Sequence, residues 1–222
     1  MTRGDLQEVA SRFGRHAPTA EVRRTARAVA REMRDAESRA VIELALELFD
    51  RGLRFPAYEI VDADRRLVRS LRARDVASLA RGLDSWGAVD AFACFVSGPA
   101  WREGGISETR VHAWARSRDR WLRRAAVVST VPLNVAARGG SGDATRTLAV
   151  CALVVGDRDP MVVKALSWAL RALAPSAPTA VELFLARHRA SLASLVVREV
   201  TTKMRTGRKR PPRSNVGGRP TS

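Results

Sequence analysis

Trp86 and Asp90 stand four residues apart, so on a helix the indole and the carboxylate lie on one face. Asp90 sits between Val89 and Ala91-Phe92, in a stretch poor in charge within a chain crowded with cations. A carboxylate in an apolar helix has a partner or a job. An arginine partner would make it a structural ion pair, and a perturbed environment would make it a functional group; the residue pattern alone leaves both readings open. Further along, Arg124, Trp168 and Arg171 fall on two helices opened by Asp119 and Asp159, with Arg171 one turn beyond Trp168. Trp101, Trp114 and Trp121 are expected to pack into the core.

Other chemistries find no footing in the sequence. His16, His112 and His188 are isolated from one another and from other metal-type ligands. Cys94 and Cys151 lie far apart in apolar runs and are expected as buried free thiols in a reducing compartment, without a zinc site or a disulfide. Gly139-Gly140-Ser141-Gly142 lacks the lysine and the preceding strand of a phosphate loop and is expected to be the most flexible interior turn. No cofactor and no metal is expected.

The elements that must position these residues read as helices throughout. Ile42, Leu44, Ala45, Leu48 and Phe49 form a stripe over 36–51 that Gly52 stops. Pro56 is expected to open a helix running to about Leu71, and Ser85 to cap one that spans Trp86 to Ser97 and ends at Gly98. Asp119, Asp143 and Asp159 sit where N-caps belong, with Pro160 at the first helical position. About ten to twelve helices follow from these signals. Asp119-Arg120-Trp121-Leu122-Arg123-Arg124-Ala125-Ala126 also aligns with Asp159-Pro160-Met161-Val162-Val163-Lys164-Ala165-Leu166 at an offset of 40, placing Arg124 on Lys164. A cap aspartate, an apolar pair, then a cation and Ala is the second-helix signature of HEAT-type repeats. The expected fold is all-α, an α-α superhelix (HEAT-like repeat solenoid) with a concave basic face. It forms a single domain over 1–206, and 207–222 is a basic, disordered tail that either touches DNA phosphates or only solubilises.

The chain has 39 Lys plus Arg, nearly all Arg, against 23 Asp plus Glu, a net charge of +16. Such an excess points to a polyanionic partner, because phosphate contacts release counterions. A protein-binding scaffold needs no such charge. The N-terminus carries no apolar segment that would read as a secretory signal. The longest apolar stretch, Leu148 to Val155, is far short of the roughly 20 residues of a membrane helix. A soluble protein of the bacterial cytoplasm or nucleoid, with no membrane partner, is expected.

Three ordered segments, Asp84-Ser85-Trp86-Gly87-Ala88-Val89-Asp90, then Trp114 to Ala126, then Lys164-Ala165-Leu166-Ser167-Trp168-Ala169-Leu170-Arg171, resemble the DNA alkylation repair (AlkD-like) family of HEAT-like-repeat glycosylases. The likeness covers residues 80–203, including a final helix with Arg198-Glu199; in the N-terminal third only Phe13-Gly14 and Pro18 carry it. The resemblance implies that Asp90 is the catalytic residue and that Trp86 and Trp168 are aromatic walls beside the lesion. It also implies that Arg124 and Arg171 bind the DNA backbone. The substrate would be double-stranded DNA containing cationic N3- or N7-alkylated purines such as 3-methyladenine and 7-methylguanine, cut by a monomeric, monofunctional enzyme without base flipping. Lys164 would be the repeat's structural cation rather than a lyase nucleophile. Gly87 stands where the family usually has an acidic residue. Alkylation puts a full positive charge on the purine, so no general acid is needed; one carboxylate near C1′ suffices to stabilise the cationic sugar and orient water. The alternative is a non-catalytic helical-repeat DNA-binding protein in which Asp90 is only a structural partner.

Overall fold

The structure, a computed structural model, describes residues 3–14 and 17–208, and among these the chain is helical without a strand. Helices α1 (Arg3–Ser11), α2 (Thr19–Glu32), α3 (Ser38–Asp50), α4 (Arg54–Ala63), α5 (Arg65–Ser70) and α6 (Ala73–Leu79) form the N-terminal part. Then come α7 (Trp86–Phe92), a π-helical turn (Ala93–Ser97), α8 (Gly98–Arg102), α9 (Glu108–Ala115), α10 (Arg120–Val128) and α11 (Val131–Asn134). A 3-10 turn (Ala136–Arg138) leads to α12 (Ala144–Leu153), α13 (Pro160–Leu173), α14 (Pro178–Arg187) and α15 (Ser194–Thr206). The segments outnumber the ten to twelve expected because several helices are broken into short pieces.

Six helices form one continuous layer: α2 packs on α4, α4 on α7, α7 on α10, α10 on α13 and α13 on α15. Behind it α3, α9, α12 and α14 back α4, α10 and α13. This is a superhelix of stacked helix pairs, in which each unit buries its apolar face only against its neighbours. The seams are lined with small or β-branched residues. Ala125 to Val128 of α10 are buried, as are Val162, Ala165, Leu166, Ala169 and Leu170 of α13, so the backbones approach closely. Ser97 and Ser129, both fully buried, satisfy each other at 2.6 Å across one seam.

The expected caps are in place. Ser85, Asp119, Asp143 and Asp159 each accept a backbone N–H of the helix they open, and Pro160 takes the first helical position. Two helix boundaries and one turn differ from expectation. The helix containing Pro56 stops at Ala63, because Asp64 turns extended and its carboxylate accepts the Arg66 N–H at 2.8 Å, starting α5 instead. The helix holding Asp90 does not end at Gly98. Pro99 has no N–H to donate, and the Gly98 N–H reaches the Ala93 carbonyl five residues back, producing the π turn before the helix resumes. The stop comes at Gly104, with φ +83°. The Gly139 to Gly142 turn is packed and hydrogen-bonded: Gly140 is buried against Leu133, and the Gly142 N–H donates to the Leu133 carbonyl at 3.0 Å.

Trp101 and Trp114 are buried as expected, whereas Trp121 is half-buried beneath the Arg120 guanidinium, 4.7 Å from its ring centre. Cys94 and Cys151 are buried and free. His16 and the tail from 209 lie outside the described residues; Gly207, at φ +69°, ends α15.

Gly98 and Gly87 give opposite expectations. A Cβ on Gly98 would meet the Ser129 carbonyl at 2.6 Å and the Ala93 carbonyl at 2.8 Å. Gly98→Ala should therefore lower unfolding free energy by about 1–3 kcal/mol. Gly87 faces open space in α7, and Gly87→Ala should raise stability by about 0.5 kcal/mol. Urea denaturation of the two variants checks both signs.

Candidate active site

Ser85 opens α7, its hydroxyl accepting the Ala88 N–H at 3.4 Å, and this sets Trp86 and Asp90 one turn apart on the same face. Trp86 is 63% exposed, unusual for so large an apolar side chain. Asp90 is clamped by Arg124 of the next inner helix: Nε donates to Oδ1 at 2.9 Å and Nη2 to Oδ2 at 2.8 Å, a bidentate fork. The remaining arm, Nη1, donates to the Met161 carbonyl at 2.5 Å in the first turn of α13. One guanidinium thus ties α7, α10 and α13 together. The Arg124 side chain is 7% exposed and that of Asp90 is 19%. In the structure the Arg124 guanidinium is mostly covered and is the partner of Asp90. Burial pushes the Asp90 carboxyl above its ordinary value, and the Arg124 guanidinium works against that rise.

Asp90 and Arg124 lie on one wall of a cleft of about 820 Å³ formed by α7, α10, α13 and α15. Trp86 and Trp168 both line it, as do Lys164 and Arg171 of α13 and Arg198 and Glu199 of α15. All the residues expected in the site, Trp86, Asp90, Arg124, Trp168 and Arg171, are therefore brought to one cleft. Trp168 is half-buried against the core. Arg171 is held more tightly than expected of a surface phosphate contact. Its Nε donates to Ser167 Oγ at 3.2 Å and lies 3.6 Å from Glu199 Oε2, and Ser167 Oγ donates to that same carboxylate oxygen at 2.7 Å. Burial lowers the Arg171 pKa, and Glu199 opposes the shift.

The sequence reading missed Ser167 and Glu199 as site residues. A signal existed in their spacing. Ser167 and Glu199 are separated by about one repeat, as are Asp90 and Arg124, Arg23 and Glu59, and Arg39 and Asp75. Polar pairs at that interval are cross-links between consecutive repeats.

A second concavity, about 460 Å³, adjoins α4 and the π turn and is lined by Arg23, Arg27, Arg65, Arg102 and Arg138 around Glu59 and Asp62. Glu59 is bound by Arg23 at 2.8 Å. Asp62 makes no such ion pair among the described residues. Its side chain opens to solvent within the concavity, yet the surrounding walls push it up to about 6, against the pull of Arg138 and Arg102. Among the described residues no cluster of His, Cys, Asp and Glu could hold a metal ion, and no helix is long and apolar enough to cross a membrane.

These features define an α-α superhelical repeat protein whose inner helices carry a carboxylate, two indoles and several cations around one cleft. The chain matches the DNA alkylation repair enzyme family over residues 13–204 and belongs to it. The match reaches through the N-terminal third, where the sequence offered only Phe13-Gly14 and Pro18. No curated protein and no solved structure gives a match.

Two outcomes follow for stability. Arg124→Ala leaves a mostly covered carboxylate without its partner and should cost about 3 kcal/mol in chemical denaturation. Asp62 has a folded pKa above its unfolded one, so the native state binds the extra proton between about pH 4 and 6 and stability falls as pH rises across that window. Asp62→Asn should flatten this slope, as measured by melting temperature against pH.

Proposed function

We propose that the chain is a monofunctional DNA glycosylase that hydrolyses the N-glycosidic bond of cationic N3- or N7-alkylated purines in double-stranded DNA. The observation that carries this reading is the convergence of the Asp90 carboxylate with the Trp86 and Trp168 indoles on a cleft rimmed by Lys164, Arg171 and Arg198. An alkylated purine is positively charged, and when its bond to C1′ breaks the electron pair neutralises the ring while the sugar becomes cationic. Asp90, fixed by the Arg124 fork, supplies the opposing charge beside C1′. It also accepts a hydrogen bond from the attacking water, whose oxygen bonds to C1′ while its proton passes to the Asp90 carboxylate and from there to solvent. Indole faces attract both cations, worth roughly 0.5–2 kcal/mol each. Trp86 presents an exposed indole to the lesion, while Trp168 is braced by the core. Arg171, oriented by Ser167 and Glu199, contacts a phosphate beside the sugar. Arg124 acts through Asp90 and is a positioning residue.

The bidentate Arg124 contact supports one competing reading, a DNA-binding protein in which Asp90 only locks two repeats together. The readings part in a single comparison. Purified protein should release 7-methylguanine or 3-methyladenine from methylated duplex, leaving abasic sites and sparing undamaged DNA. Asp90→Asn should reduce single-turnover excision at least 100-fold with little change in DNA affinity. Absence of excision by wild type would leave the binding-only reading standing, and equal excision by wild type and Asp90→Asn would remove Asp90 from the chemistry.

The acid limb of excision should lie above the ordinary carboxylate value near 4, because burial raises Asp90. In Arg124→Ala the opposing cation is gone, so that limb should move to still higher pH. Single-turnover rates from pH 4 to 8 test both directions.

A further inference from the structure

We propose that the exposed arginine face of α2 is a second phosphodiester-binding surface, which grips the duplex away from the cleft without reading its sequence. The inference rests on the DNA reading above and extends it to a part of the chain that supplies none of the lesion chemistry. Arg24, Arg27 and Arg31 follow one another at helical spacing on α2, Arg34 lies in the turn just beyond its end, and all four are exposed. Arg24, Arg27 and Arg31 make no ion pair among the described residues, while Arg34 lies 3.7 Å from its exposed neighbour Asp35.

Many of the chain's other arginines are spent on acids. Arg12 holds Glu32, Arg23 holds Glu59, and Arg39 holds both Glu43 and Asp75. The α2 row is left uncompensated, and like charges at this spacing repel. It borders a groove of about 640 Å³ between α2 and the α4–α5 turn, with Arg65 on the opposite side. The acid in that groove, Asp64, is already committed to the Arg66 N–H and guanidinium. Arg65 on the far side is held by Glu103, so the guanidiniums of the groove without an acid partner among the described residues are Arg24, Arg27 and Arg31, the chemistry that suits successive backbone phosphates.

Its placement matches a duplex leaving the cleft. α2 is the first helix of the inner layer that carries Asp90, Arg124 and Trp168. Arg27 and Arg65 line both this groove and the neighbouring concavity that holds Arg138 and Asp62. That concavity is near the cleft: α4, which carries Asp62, packs against both the π turn and α7, which carries Asp90. The cationic surface thus runs from the cleft to the first repeats.

The test is a combined Arg24→Gln, Arg27→Gln and Arg31→Gln variant of the full chain, compared with wild type on undamaged duplexes of about 10 and about 30 base pairs, one and three helical turns. Affinity is measured by fluorescence anisotropy across a salt series. On the long duplex the variant should bind at least tenfold more weakly, and its slope of log affinity against log salt should shrink by about 2–3, at about 0.9 per phosphate contact. On the short duplex, seated at the cleft, wild type and variant should agree within about twofold. An unchanged melting temperature excludes a folding defect, which surface substitutions should not cause. A variant whose long-duplex slope equals that of wild type overturns the proposal, as does equal weakening on both lengths. Excision of 7-methylguanine at saturating protein separates this result from the glycosylase reading: a changed slope without excision retains the α2 surface and discards the enzyme, and excision with an unchanged slope does the reverse.

Discussion

Asp90 and Arg124 form the interaction on which both the architecture and the cleft depend. Three of the inner helices meet at that guanidinium, through a carboxylate on α7 and a carbonyl on α13. A carboxylate kept near an apolar seam loses hydration, and burial alone would drive it toward its neutral form. The guanidinium opposes that drift and fixes the rotamer. The same pairing blunts the field the carboxylate projects. A fork that engages both oxygens from one side while the cleft remains open on the other reconciles these demands, because the side facing the cleft is where a cation would approach.

That arrangement joins stability to chemistry in a particular way. A mostly covered ion pair adds little net stability over a well-packed apolar pair, yet removing one member is costly. Selection for stability alone would therefore favour replacing both residues by hydrocarbon. Keeping the pair at the edge of a cleft, between an exposed tryptophan and a braced one, is easier to understand if the charge is used. The π turn immediately after α7 belongs to the same region. It re-registers the helix by one residue, and Gly98 lets the following segment lie directly against the Ser129 carbonyl. The wall carrying Asp90 is thus fixed by backbone contact as well as by Arg124.

The legible parts of the molecule were those written locally. Ser85, Asp119, Asp143 and Asp159 announce helix starts because a cap is a short-range hydrogen bond between a side chain and the next turn. Trp86 and Asp90 share a face because helical spacing alone puts them there. What escaped depends on distant residues. Nothing near Arg124 says that it is buried, since its acceptor lies in the preceding repeat and its third arm reaches into the following one. Gly98 looks like a stop because glycine often is; here it serves close packing, and the break in the ladder comes from Pro99. Gly140 likewise marks a close approach to Leu133 rather than a loose loop. Asp64 was hidden inside an apolar pattern that continues on both sides of it. Glu199 stood out from the last helix only once Ser167 and Arg171 were known to face it.

The cross-links between repeats also account for where the surplus charge lies. Acids are the scarce partner in this chain, and the structure places many of them between repeats: Glu59 against Arg23, Asp75 against Arg39, Asp90 against Arg124 and Asp157 against Arg123. Glu103 alone serves Arg65, Arg69 and Arg102. Each acid spent this way fastens one unit to the next and is unavailable to neutralise the surface. The arginines left over cannot enter the apolar seams, so they collect on exposed faces such as that of α2. A superhelix held together by its acids must in this way expose its excess of cations, and the resulting self-repulsion is relieved when a polyanion lies along them. The scarcity of acid that makes the fold electrostatically costly by itself is what prepares its surface for nucleic acid.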